Sequence, residues 1–251
     1  MTAGPLPLDH AVVLVFVVLS PIVDLVWFYP WLLRGARSRA YALGILGQWM
    51  GAACVLALWF HSARPWTALR LGAVSPSGAG IGLVLAVAFV SLLIYQRRAL
   101  LARPDRLVAA FRDIGGAGPL VPRTPGESRG FLLLSISAGI CEELLFRGYL
   151  MWYLATWTGL AWAAVISSVV FGAGHLYLDG RSALKAGIVG AVMAGITIAA
   201  GSLLPAMLIH AAVDMNSGSL GFRAAALGGL NAPGAPTPPA APRTTPADGP
   251  A

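Results

Sequence analysis

The stretch Ile140-Cys-Glu-Glu-Leu-Leu-Phe-Arg-Gly148 places Glu142, Glu143 and Arg147 inside what otherwise reads as a membrane-spanning helix. Phe131 to Ile140 carries no charge, and neither does Tyr149 to Ala155. An Asp, Lys or Arg at the centre of a spanning helix costs roughly 2.5 to 3.5 kcal/mol, so ionisable groups at that depth need a partner or a task. Glu143 and Arg147 are four residues apart, which stacks them on one helical face about 6 Å apart along the axis, acid before base, the favoured order. Glu142 is rotated by about 100° and cannot share that arginine equally. One carboxylate is therefore neutralised within the helix and the other is left for a partner outside it. Two ionisable clusters downstream supply candidates, Phe171-Gly-Ala-Gly-His175 and His210-Ala-Ala-Val-Asp214.

The whole chain is consistent with a helix at that depth. Its mean hydropathy is +0.76; 57% of the residues are apolar and only 11% are charged, which excludes an ordinary soluble domain. No window alternates in the ten-residue manner of an outer-membrane barrel, so helices are the spanning element. The net charge of +7 comes almost wholly from arginines gathered in loops, as the positive-inside rule requires of a protein whose partner is the lipid bilayer. Basic residues are not interleaved with aromatics in the way that grips single strands, and no nucleic acid partner is expected. Cys54 and Cys141 both fall in apolar spans and bound nothing about redox compartment. The N-terminus lacks a basic n-region and reads as a retained span rather than a removed signal peptide.

The fold class expected is all-α, a polytopic transmembrane helical bundle of about seven spans of roughly 20 residues each. The first runs from His10 to Leu33, tilted or kinked at Pro21, with Asp24 inside it. The others are Ala40 to Phe60, Ala79 to Tyr95, Phe131 to Trp152, Leu160 to Tyr177, Ser182 to Ala200 and Leu203 to Leu220, the last two forming a hairpin through Gly201 to Pro205. Between the third and fourth lies the longest polar segment, Gln96 to Gly130, with seven arginines and three acids. Within it Arg98 to Ile114 alternates apolar and basic residues at helical spacing, a helix lying on the bilayer surface that either covers a substrate entrance or serves as a linker drawn to anionic lipid. Residues 1–126 are thus N-terminal helices and an amphipathic loop, 127–221 a membrane core that holds the motifs, and 222–251 a Pro/Ala-rich tail expected to be disordered. With the N-terminus outside and the C-terminus inside, the cytoplasmic loops and tail hold thirteen of the seventeen basic residues, and Lys185 sits in the first turn of the sixth span. Arginine-rich, lysine-poor usage points to a GC-rich prokaryotic gene and hence a bacterial inner membrane.

Each ionisable cluster alone has a plain structural reading: a hydrogen-bonded His, a His and Asp satisfying one another, a buried ion pair. Together, two His, three carboxylates and an Arg in one membrane domain need each other as partners. Two mechanisms suit them. In one, Glu142 acts with His175 as general base on a water that attacks a peptide carbonyl, while His210 and Asp214 stabilise the developing oxyanion; an ionised carboxylate offers no donor, so Asp214 would be protonated or act through His210. In the other, a divalent metal such as Zn2+ is held by His175, His210 and a carboxylate, candidates Glu142, His175 and His210, with the remaining Glu as base. A proton relay in a small transporter uses similar residues, but the chain shows no repeat symmetry or paired broken helices.

Glu142-Glu143-x-x-x-Arg147, Phe171-x-x-x-His175 and His210-x-x-x-Asp214, in that order on successive apolar spans, resemble the three motifs of the CPBP (CAAX protease and bacteriocin-processing, formerly Abi) family of intramembrane endopeptidases, which includes type II CAAX prenyl endopeptidases. The resemblance covers about Phe131 to Leu220; Arg64-Pro-Trp-Thr-Ala-Leu-Arg-Leu-Gly72 resembles the family's loop before the core more loosely. It implies a catalytic core in spans four to seven. Glu142 and His175 would activate the water, His210 and Asp214 complete the site, and Glu143 and Arg147 support it. Family members carry Asn or Asp at the position of Asp214, and the Asp here weakens a direct amide-donor role. The resemblance carries both a metallopeptidase and a glutamate-dependent mechanism. It implies hydrolysis of a peptide bond in a membrane-associated protein or peptide substrate, the alternative being a non-catalytic bacteriocin-immunity or scaffold protein of the same fold.

Overall fold

Caps and prolines start the helices that the hydropathy pattern demands. The computed structural model describes residues 4–112 and 114–228. Helix α1 spans Pro7–Leu33, α2 Arg37–His61, α3 Pro76–Leu101 and α4 Pro104–Arg112. Helix α5, Pro125–Glu142, continues through a π-helical segment, Glu143–Leu150, into α6, Met151–Ala173; α7 is Gly180–Ala200 and α8 Leu204–Leu227. Ser75 accepts the Gly78 N–H at 3.1 Å ahead of Pro76, and Asp179 accepts the Ser182 N–H at 2.7 Å to open α7. Thr124 and Glu127 close a capping box around Pro125, at 3.1 and 3.2 Å. Each device satisfies donors that a helix start leaves unpaired. The described residues hold helices and turns and no strand.

Among the described residues, five stretches are long and apolar enough to cross a membrane: Pro7–Leu33, Arg37–His61, Pro76–Leu101, Pro125–Ala173 and Gly180–Ala200. The fourth is 49 residues long, which as a straight helix would reach about 70 Å, more than twice a hydrocarbon core of about 30 Å. It cannot cross once in a straight line, and it breaks at Gly159, whose φ of 76° and ψ of 164° lie where an L side chain is strained. That break separates the fourth and fifth expected spans. Helix α8 is 24 residues long and carries His210, Asp214 and Asn216, which lower its hydropathy. The seven-span expectation is compatible with this arrangement.

Boundaries differ in three places. Helix α3 continues past Tyr95 to Leu101, so the surface helix shrinks to Pro104–Arg112. Helix α8 continues to Leu227, so residues 222–227, assigned to the tail by composition, are helical; residues 229–251 lie outside the described residues. Helix α1 absorbs Pro21 without stopping, flanked by π-helical turns at Leu14–Leu19 and Asp24–Phe28. Proline removes one backbone donor and crowds the carbonyl four residues back, and a locally widened helix accommodates both.

Helix α5 packs chiefly against α8 and α2, and α6 against α7. Ala52, Val55 and Trp59 of α2 meet Cys141, Leu144, Leu145 and Tyr149, with Leu203 and Met207 closing the cluster. Helix α3 buries only Gly78 and Gly82, while Leu83 and Val84 stay two-thirds exposed, as a lipid-facing helix should. Both cysteines are free, Cys54 exposed and Cys141 buried. The start of α1 is fastened by a buried ion pair, Arg64 Nη1 and Nη2 donating to Asp9 at 2.8 and 2.6 Å, with the Tyr149 hydroxyl donating to the same carboxylate at 2.7 Å. The connection between α4 and α5 is fastened too. Arg37 Nε donates to Pro119 O at 2.9 Å, the Tyr41 hydroxyl to Leu120 O at 2.7 Å, and Gly116 N–H to Asp179 at 2.6 Å. The N–H groups of Ser182 and Gly116 hold the Asp179 carboxyl below its usual range.

Candidate active site

Glu142 ends α5, and the π-helical segment starts at the next residue. Such widened turns inside α-helices are frequent at functional sites. The two glutamates part company there. Glu143 is fully buried, whereas the Glu142 side chain keeps 21% of its surface exposed. Glu143 Oε1 accepts from Arg147 Nη1 at 3.0 Å and from His210 Nδ1 at 2.7 Å, so one oxygen joins a base on its own helix to an imidazole on α8. The Nδ1 proton is thereby assigned to the Glu143 bond, which turns His210 Nε2 outward. Nε2 lies 3.8 Å from Glu142 Oε2 and 3.6 Å from Asp214 Oδ2. Asp214, with 37% of its side chain exposed, stands at the open side with Glu142. One half of the network is sealed, and the other, Glu142 and Asp214, keeps exposed surface.

His175 lies two residues past the end of α6, not in its last turn as expected. It is oriented by its Nδ1, 2.9 Å from Phe171 O, which leaves Nε2 for another partner. Phe171 is the hub between the motifs: its ring carries the Arg147 guanidinium at 4.2 Å, meets His175 at 4.8 Å and stands perpendicular to the His210 ring at 6.1 Å. Glu142 lies within electrostatic reach of both imidazoles, Asp214 and Glu143. The structure therefore brings Glu142, Glu143, Arg147, His210 and Asp214 into one direct network and sets His175 beside it across Phe171. Asp24, half-buried on α1, is also within reach of Glu142.

Close helix approach sets these distances. A Cβ on Gly139 would stand 2.7 Å from both the Cβ and the N of Ala211, so α5 and α8 touch backbone to backbone between the Glu pair and His210. A Cβ on Gly190 would stand 2.7 Å from Arg147 Nη2, so the bare α7 backbone makes room for the guanidinium. Small residues at such crossings let membrane helices approach closely. Spacing arguments missed Gly139 and Gly190, as they missed Gln48 on α2, whose Nε2 donates to Glu142 Oε1 at 2.9 Å. The available signals were weak: a Gly one turn before the Glu pair, and the one amide in Ala40 to Phe60.

Zinc is held by donors about 2.0 to 2.2 Å from a common centre. Among the described residues no three His, Cys, Asp or Glu side chains are arranged to hold a metal. The candidates Glu142, His175 and His210 do not form such a set as they stand; the Nδ1 of each imidazole meets a protein oxygen, which leaves Nε2 as the atom that would face an ion.

The helices and this network define a class, a polytopic integral membrane protein with a carboxylate and imidazole site between its spans. The family model described as Type II CAAX prenyl endopeptidase Rce1-like matches residues 126–216, a segment that contains all three motifs. Over that segment the chain is similar to the CAAX protease family, in line with the order of the motifs. Neither the search of curated proteins nor the search of solved structures found a match.

Proposed function

We propose that this protein is an intramembrane endopeptidase that hydrolyses a peptide bond of a membrane-associated protein or peptide, with a water activated by Glu142. The observation that carries the reading is the division of labour between adjacent glutamates. Glu143 is sealed and engaged by Arg147 and His210, while Glu142 is partly open and turns Oε2 toward His210 Nε2 at 3.8 Å. Glu142 takes the water proton as general base, assisted by the free Nε2 of His175, and returns it to the leaving amine. His210, doubly protonated and balanced by the carboxylates that face it, donates Nε2–H to the developing oxyanion; Asp214 acts through it.

The family match supports a substrate ending in a CAAX box. The charge distribution supports an N-out, C-in orientation in a bacterial inner membrane, with the site opening to the cytoplasm. The test is cleavage by purified full-length protein in liposomes, using an internally quenched prenylated CAAX peptide and a membrane-anchored unprenylated peptide. Glu142→Ala should lose cleavage at least about a hundredfold while remaining folded; cleavage equal to wild type would remove the assignment. Cleavage of the unprenylated peptide alone would keep the peptidase and discard the prenylated substrate.

A further inference from the structure

Gln48 sits midway along α2, in a run from Ala40 to Phe60 that holds no other amide and no charge. A primary amide at bilayer depth is costly unless it is paired. One end is paired, Nε2 donating to Glu142 Oε1 at 2.9 Å; the other, Oε1, is buried with no partner among the described residues. The register is held by neighbours rather than by the amide. Trp49 Nε1 donates to Ser137 Oγ at 3.0 Å, and a Cβ on Gly44 or Gly51 would lie 3.2 Å from Leu134 or Leu145. The amide is thus delivered to Glu142 by the packing of α2 along α5. The other groups within reach of Glu142 are titratable: Asp24 from α1, Cys141, Glu143 and Arg147 on its own helix, His175 and Tyr177 after α6, and His210 and Asp214 on α8. Gln48 donates directly to Glu142 and, as a neutral amide, keeps that donor through a full proton cycle.

We propose that Gln48 is a positioning residue for hydrolysis at this site: its amide N–H fixes Glu142 Oε1 so that Oε2 faces His210 Nε2. The unpaired Gln48 Oε1 marks a neighbouring place for water, the usual partner of a buried polar atom that protein leaves unsatisfied. The proposal rests on the reading of Glu142 as general base.

The experiment uses the full chain in liposomes with the prenylated CAAX peptide, comparing wild type, Gln48→Leu, Gln48→Glu and Glu142→Gln. Gln48→Leu, similar in size but without a donor, should lower kcat about ten- to a hundredfold with KM within about twofold. Gln48→Glu must share a proton with Glu142 and should move the acid limb of the kcat profile upward. A second readout needs no cleavage. Dicyclohexylcarbodiimide reacts with protonated carboxyls inside membranes, and a carboxylate that loses its N–H donor holds its proton more readily. Labelling of Glu142, read by peptide mass spectrometry at neutral pH, should therefore rise several-fold in Gln48→Leu. Unchanged kcat and unchanged labelling overturn the proposal, as does a rise in KM with kcat preserved. If Glu142→Gln is inactive while Gln48→Leu matches wild type, only the Gln48 role falls; if Glu142→Gln cleaves like wild type, the catalytic reading falls and takes this one with it. If the peptide is not cleaved by any form, the labelling decides alone, and if Gln48→Leu does not fold, Gln48→Glu carries both readouts.

Discussion

Adding one methyl group at Gly139 should uncouple the site. The new Cβ would stand 2.7 Å from Ala211 Cβ, 2.7 Å from Ala211 N and 2.9 Å from Ala211 Cα. Carbon contacts settle near about 3.5 to 4.0 Å, so α5 and α8 must part by about 1 Å. His210 precedes Ala211 and moves with it. Its 2.7 Å bond to Glu143 would lengthen to about 3.7 Å, which is no longer a hydrogen bond. Overpacking costs about 1 to 3 kcal/mol and the lost charged hydrogen bond about 1.5 to 3 more. A 1 Å displacement of reacting groups is worth about a hundredfold in rate. Gly139→Ala should therefore be destabilised by about 2.5 to 6 kcal/mol and lose about two orders of magnitude in kcat. Adding Ala211→Gly removes only one of the three contacts, since the other two are backbone, and should rescue in part. Gly47→Ala meets nothing within 4 Å and is the control, expected to be neutral or slightly stabilising. Melting in detergent and cleavage in liposomes read both quantities. A Gly139→Ala protein with wild-type kcat and an unchanged melting temperature would refute the claim that this crossing sets the site.

Asp9→Ala leaves Arg64 buried without its carboxylate and should cost about 3 to 5 kcal/mol, read as a lower melting temperature, while cleavage per folded molecule is unchanged; Asp9→Leu combined with Arg64→Met should recover most of the stability. The Asp179 carboxyl is held below its usual value of 3.8, so the stability it contributes is complete above that pH and is lost as pH falls below it. The gap in melting temperature between wild type and Asp179→Ala should accordingly be constant from neutral pH to about 4 and close under stronger acid. Cleavage should survive exhaustive chelation, with less than one metal per chain by elemental analysis; loss of activity on chelation, restored by zinc, would return His175, His210 and Glu142 to a metal role.

Composition and span length made the membrane fold readable, because the need to satisfy every backbone group in lipid leaves little choice beyond helices. Helix ends were less readable. Arg97 reads as the start of a polar loop, yet it lies on α3 because Asn216 and Ser219 on α8 accept from it at 3.3 and 3.2 Å. Ala224 reads as tail, yet it is buried against Leu107 of the surface helix. Tertiary partners decide both, and a local pattern does not contain them. In the site, the four-residue spacing of Glu143 and Arg147 foretold their 3.0 Å pair. Spacing left open which glutamate meets His210, and the answer depends on the π-helical segment and on the crossing at Gly139. Gln48 was invisible for a different reason: a lone amide in an apolar span acquires meaning only once α2 is known to lie along α5.

In the proposed mechanism Glu142 activates a water rather than attacking the peptide itself. A single turnover of unlabelled enzyme in oxygen-18 water, followed by mass spectrometry of the newly formed carboxyl terminus, reads this directly. One solvent oxygen in the product, with Glu142 unlabelled, is the expected result. Product made without solvent oxygen in the first turnover, with the label appearing in Glu142, would show a covalent intermediate and contradict the account.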